Sequence, residues 1–172
     1  MLRVIDSIGH LCFSELMQVY VESNSKMGQE RYPAYSSDDQ LLEAEQDFYH
    51  YLRSDFFSQP GACYAVWIEN GQYLSAARIE PYADGLLLCG LETAPKYRRK
   101  GYGKALITAL QSYLARSSGG QLYSHVAKSN VFSLELHKRC GFRVIKDYAV
   151  HVDGSVFRDS VTMVYEFEKT ES

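Results

Sequence analysis

The sequence predicts an α/β (α+β) fold, one domain over residues 1–172. Its central sheet is mixed and mostly antiparallel, with about seven strands flanked by about four helices. Three observations predict it. Two stretches of helical period come first, at 13–21 and 41–52. Three period-two runs joined by tight-turn residues then fill 63–93. Helix and strand alternate beyond that, and the chain closes on a hairpin.

Leu2-Arg-Val-Ile reads as an edge strand, and Phe13, Leu16, Met17, Tyr20 and Val21 line one face of a first helix. Residues 24–37 hold Gly28 and Pro33 and little periodicity, so a loop is expected there. Ser37 or Asp38 can cap a second helix that carries Leu41, Ala44, Phe48 and Leu52, stopped by Gln59-Pro-Gly. Strands follow at 63–68 and 73–79 around the hairpin signal Asn70-Gly71, and after the turn Ala83-Asp-Gly a third strand runs over 86–93. Residues 103–116 return to helical spacing, and Ser117-Ser-Gly-Gly should end that helix. A strand at 122–127, a helix at 130–140 and strands at 142–152 and 156–167, hinged at Asp153-Gly154, complete the order β α α β β β α β α β β.

A net charge of −3 argues against a polyanion-binding surface, so no nucleic-acid partner is expected. Cys12, Cys63, Cys89 and Cys140 form no CxxC pair, and no metal site is expected. No run approaches the roughly 20 apolar residues of a membrane span, and the first residues lack a signal peptide's apolar region. A cytoplasmic protein with reduced thiols and no membrane partner is therefore the expectation.

The basic residues are unevenly spread: Lys96, Arg98, Arg99, Lys100 and Lys104 put five of 18 within nine positions. They sit in Thr93-Ala-Pro-Lys-Tyr-Arg-Arg-Lys-Gly-Tyr-Gly-Lys-Ala-Leu, between a strand and a strong helix. Glycine at a helix start lets a ligand approach the backbone closely. The first N–H groups there lack internal partners and carry the positive end of the dipole, which suits a pyrophosphate. GxxxxGK[ST] is absent, and the third small residue of GxGxxG is missing. An exposed basic loop remains the other reading.

At two helix-start segments the chain resembles the GNAT superfamily of N-acetyltransferases. Arg98-Arg-Lys-Gly101-Tyr-Gly103 matches the family's acetyl-CoA signature Q/R-x-x-G-x-G/A, approached by Pro95, Tyr97 and Arg98. Asn130, Ser133, Leu136, His137, Gly141 and Phe142 resemble its second motif, N-x-x-A-x-x-L-Y-x-x-x-G-F. The resemblance implies acetyl-CoA as cosubstrate and a primary amine as acceptor, attacking directly in a ternary complex. It implies that backbone N–H groups of Arg99, Lys100, Gly101, Tyr102, Gly103 and Lys104, with Arg98 nearby, hold the CoA pyrophosphate. Leu91, Glu92 and Thr93 would flank pantetheine, with an N–H near Leu91 to Thr93 polarising the thioester carbonyl. Asn130 and Ser133 would touch the CoA arm from the far side. The arm would lie where strands ending near Thr93 and Ala127 splay.

Acetyl transfer needs a neutral amine, and neutralising one of pKa about 10.4 at pH 7 costs about 4.6 kcal/mol. A thiol of pKa about 8.5 leaves more readily, so a base matters more than an acid. Glu92, at the end of its strand, is the candidate base, with Glu80 and His125 as secondary candidates. His137 stands where many family members carry an acidic tyrosine; it could donate a proton, order a water or simply be packed. That departure leaves an idle acetyl-CoA-binding regulatory module as the alternative. Residues 24–57 and the final hairpin should build the acceptor pocket. Tyr32, Tyr35, Phe48, Tyr49, Tyr51, Phe56 and Phe57 are there, among acids that suit a cation. The acceptor's identity and the oligomeric state, a homodimer among the options, stay open.

Overall fold

The structure, a computed structural model, describes residues 1–116 and 120–167. Positive φ at both Asn70 and Gly71, 51° and 78°, matches the twist of the strands they join, β2 (Cys63–Glu69) and β3 (Gln72–Tyr82). β3 turns at Ala83 into β4 (Gly85–Thr93), and β1 (Leu2–Ile5) pairs with the outer side of β2. The remaining strands are β5 (Gln121–Ala127), β6 (Arg143–Lys146), β7 (Ala149–Val150), β8 (Val156–Phe157) and β9 (Ser160–Glu166). Seven of these form one sheet in the order β1-β2-β3-β4-β5-β9-β6, antiparallel except for β4 and β5.

Strand alternation sends side chains to two layers. Tyr64, Val66 and Ala76 pack with Leu16, Val19 and Tyr20 of α1 (Phe13–Arg31) and with Phe56. Ala65, Ala77, Ile79 and Leu88 pack with Leu106, Ile107 and Leu110 of α3 (Tyr102–Leu114). Beside α1 lies α2 (Ser37–Tyr51), continued by a π-turn to Phe56, and α4 (Val131–Arg139) follows β5. The sequence-predicted end of α3 at Ser117-Ser-Gly falls outside the described residues.

Three expectations need correction. Residues 24–31 are helical rather than loop, because Gly28 is a crossing point: a Cβ there would lie 2.2 Å from the Gln40 carbonyl oxygen of α2. The cap of α2 is Ser36, whose Oγ accepts from the Asp39 N–H at 3.3 Å, rather than Ser37 or Asp38. The final hairpin is broken. β6 pairs with β9 through a register shift, while β7 and β8 leave the main sheet as a separate two-stranded ribbon. The Tyr82 hydroxyl anchors that ribbon by donating to the Val150 carbonyl at 2.7 Å.

Candidate active site

β4 shifts register against β3 at one point. Arg78 pairs with Cys89 and Ala76 with Glu92, so Gly90 and Leu91 together face Ala77 in a bulge. Gly90 takes φ +59°, a conformation that side chains resist. The Tyr20 hydroxyl of α1 ties the bulge down by donating to the Gly90 carbonyl at 2.5 Å. β4 pairs with β5 only over Leu86–Leu88 against Leu122–Ser124. Beyond Leu88 the two strands separate, and an edge of β4 backbone through Leu91 and Thr93 is left without a strand partner on the β5 side.

Past the bulge, the Thr93 hydroxyl donates to Ser75 Oγ at 3.1 Å, and that hydroxyl donates to the Glu92 carbonyl at 2.6 Å. A single 3-10 turn, Pro95–Tyr97, leads into residues 98–101 and the start of α3. Arg99 (φ +61°) and Gly101 (φ +87°) are both left-handed, an alternation that turns consecutive N–H groups toward one side. The N–H groups of Tyr102, Gly103 and Lys104 open the helix and have no acceptor within it. No side chain caps them, and a Cβ on Gly101 would meet nothing within 4 Å, so the space before the helix end is open. Gly103 is buried, and a Cβ there would press on Leu136 at 3.3 Å and Thr93 Oγ1 at 3.5 Å. The ends of β4, α3 and α4 thus converge on one point. Arg98 faces elsewhere: it pairs with Glu22 of α1 at 2.6 Å and its Nε donates to the Thr93 carbonyl at 3.2 Å. Lys96 and Lys100 lie over the Tyr97 ring, 4.9 and 5.5 Å from its centroid.

On the far side of the splay, Asn130 caps α4 by accepting from the Ser133 N–H at 3.1 Å. His137 is only 2 % exposed. Its Nδ1 lies 2.8 Å from the Ser133 carbonyl, which can only accept, so the ring hydrogen sits on Nδ1. Nε2 then accepts from the Ser124 hydroxyl at 2.9 Å. Burial lowers its pKa more than the Ser133 contact raises it, so the ring is neutral near pH 7. Both nitrogens are spent inside the protein.

Glu92 occupies the opposite face, under α1. Burial raises its pKa, and a hydrogen bond from Ser23 and the charge of Arg98 partly offset that rise. A half-buried carboxylate of raised basicity beside the bulge can accept a proton. His125 lies further along, stacked on His151 of the ribbon at 5.6 Å and edge-on to Tyr82, with its Nε2 buried and unpartnered. Burial pushes its pKa down to about 4. A cleft of about 380 Å³ opens beside it between Tyr82 and Val150 to Val152. Glu80 sits 3.7 Å from the Cys89 thiol.

The aromatics expected to line an acceptor pocket divide. Phe56 is fully buried, and Phe48 packs on the same core. Tyr32 is held by Asp47, and Tyr35 stacks on Tyr32. Tyr49 packs on Phe13 and Phe57 on Phe56, while Tyr51 turns to the bulge, its ring 5.3 Å from the guanidinium carbon of Arg78. Arg78 was not among the sequence candidates. Its signal was a lone charge within the buried run Tyr73-Leu-Ser-Ala-Ala-Arg-Ile. Among the described residues, no group of His, Cys, Asp and Glu is placed to hold a metal ion, and no helix is long and apolar enough to cross a membrane.

Comparison with known proteins bears on the family and the fold. The model of the acetyltransferase (GNAT) family matches residues 16–142. No curated protein matches the sequence. Among solved structures, the PaiA N-acetyltransferase of Thermoplasma acidophilum, in complex with coenzyme A, is similar with a TM-score of 0.63 at 13 % identity over 97 % of this chain and 99 % of that one. The ribosomal-protein-S18-alanine N-acetyltransferase of Escherichia coli is similar with a TM-score of 0.61 at 18 % identity, covering 100 % and 97 %. The yncA protein of Salmonella typhimurium, with its cofactor acetyl-CoA, reaches 0.60 at 16 % identity, covering 100 % and 96 %.

Proposed function

The chain belongs to the acetyltransferase (GNAT) family, and from that premise we propose that it moves an acetyl group from acetyl-CoA to a primary amine, with Glu92 as base. The observation that carries the reading is the open, uncapped start of α3 beside the β4–β5 splay. The N–H groups of Arg99 to Lys104 bind the diphosphate of CoA, and the cationic side chains around them add charge. Arg98 braces the turn against α1 through Glu22 rather than gripping phosphate, which its ion pair supports.

Bound acetyl-CoA supplies a thioester. The unpaired edge of β4 runs beside its pantetheine, and an N–H of Leu91 to Thr93 meets the carbonyl oxygen as negative charge develops there. From the opposite face, Glu92 takes a proton from the acceptor nitrogen, directly or through a water. Asn130 and Ser133 border the CoA arm from α4, although Asn130 spends its side-chain oxygen on the helix cap. The engaged, neutral ring of His137 supports a positioning role, holding Ser133 and α4 against β5. The thiolate then leaves without a protein acid, as its pKa of about 8.5 permits.

Calorimetry tests the turn. Gly103→Val drives its larger side chain into Leu136 and Thr93 and should weaken acetyl-CoA binding at least about tenfold, with the far-ultraviolet spectrum retained. Unchanged affinity would remove the turn from the mechanism. Thiol release from acetyl-CoA across an amine panel tests the reaction itself.

A further inference from the structure

Arg78 is a poorly compensated charge on the α1–α2 face of the sheet. It emerges from the buried centre of β3 opposite Cys89 and makes no ion pair with any described residue. Its Nε is buried and has no hydrogen-bond partner among the described residues. The side chains around it are Tyr20, Tyr51, Tyr64 and Cys89. Burial raises the pKa of all four, Cys89 to about 12, so none supplies a negative charge near pH 7. Tyr51 offers the face of its ring and a side-chain hydrogen bond to the guanidinium, which together compensate a desolvated cation only in part. Glu80 and Glu92 stand near enough to be felt by this cluster, but neither reaches the guanidinium as an ion pair.

The place of this unanswered charge is informative. A Cβ on Gly90 would lie 3.1 and 3.2 Å from the Arg78 Nη2 and Nε, so the guanidinium rests against the bulge itself. Gly90 is exposed and the largely buried Arg78 keeps some accessible surface, so an incoming molecule can reach the guanidinium over the bulge. Glu92 stands on the same face of the sheet, opposite Ala76, two residues before Arg78 on β3. At a rise of about 3.3 Å per residue, an acidic and a basic position are then roughly 7 Å apart along the sheet. A guanidinium fork suits a carboxylate, and the carboxylate of Glu92 suits an ammonium.

Resting on the acetyltransferase reading, we propose that the acceptor is an α-amino acid, whose carboxylate docks on Arg78 while its amine faces Glu92. Arg78 is thereby a specificity residue: it orients the nucleophile and selects against amines that lack a neighbouring carboxylate.

The test uses the whole chain with acetyl-CoA and the twenty L-amino acids, each beside its amide and its decarboxylated amine. At least one free acid should be acetylated with kcat/KM about 100-fold or more above both analogues, since a site built for a polar group rejects ligands lacking it. Arg78→Gln should raise KM for that acid by a similar factor while changing kcat/KM for its amide less than about threefold. Arg78→Lys should retain part of the preference. Equal use of acid, amide and amine would overturn the proposal, and so would an Arg78→Gln defect that is the same for acid and amide. If no compound turns over, thermal shifts with each amino acid in saturating CoA decide. A shift in wild type lost in Arg78→Gln supports the proposal, and no shift with any of them overturns it. Calorimetry with acetyl-CoA separates the two levels. Wild type that fails to bind it sinks the transferase reading, whereas binding and thiol release without carboxylate preference sink only this inference. Retained acetyl-CoA affinity in Arg78→Gln shows that the variant is folded; should it not fold, the wild-type comparison and Arg78→Lys still decide.

Discussion

Glu92 and His137 lie on opposite faces of the same sheet, and burial moves their pKa values in opposite directions because it disfavours whichever form is charged. For Glu92 this means a stronger base, at a cost to stability. The folded pKa is raised, so its stabilising contribution is complete at acid pH and is lost as pH rises through the folded value. Glu92→Gln should therefore lower kcat by about 10²- to 10³-fold while melting at or above the wild-type temperature at pH 8, the gap closing toward pH 4. His137→Phe should lower kcat less than tenfold, because the ring holds neighbours rather than delivering a proton. It should instead cost about 1–3 kcal/mol, since the Ser124 hydroxyl loses its buried partner. Steady-state rates and melting curves on both variants check the pair, and a larger kcat loss at His137 than at Glu92 would reverse the assignment. The sequence showed both residue types in plausible places. It did not show that His137 turns inward, because a helix position reveals its face only once the neighbouring strand is known.

At the scale of elements, α1 is the brace of the site. It presents Tyr20 to the Gly90 carbonyl, Glu22 to Arg98 and Ser23 to Glu92, so its seating on the sheet sets the bulge. Its last two turns are held by α2 through Gly28, which has no room for a methyl group. Gly28→Ala should cost about 1–3 kcal/mol, read as a lower urea midpoint at unchanged slope. An unaltered midpoint would mean that the two helices shift freely. This is also where reading the sequence failed in a useful way. Glycine disfavours helices on its own account, and the tight crossing that overrides that preference lies in α2, twelve residues on. The start of α3 was legible for the contrary reason: the glycines, the cations and the helix that needs them are contiguous.

Across the whole molecule, the β7–β8 ribbon closes over β5 through an aromatic stack of His125, His151 and Phe157. The His125 pKa of about 4 lies below its ordinary 6.5, with burial the largest cause and the charge of His151 and Lys146 next. A depressed pKa stabilises the fold above the unfolded value and ceases to as pH falls through the folded one. Stability should therefore decline between pH about 6.5 and about 4, and His125→Phe should flatten that decline in urea midpoints taken across the window. A parallel decline in the variant would place the acid sensitivity elsewhere.

By itself the sequence determined most of the order of elements, the glycine-rich basic start of α3 and the family they resemble, since each is written in residues close together along the chain. Only the tertiary structure decided what faces what: the broken final hairpin, the inward turn of His137, and the meeting of Arg78, Tyr20, Tyr51 and Gly90 at the bulge. Those depend on strand register, in which one extra residue in β4 redirects every side chain after it. No local pattern carries that information.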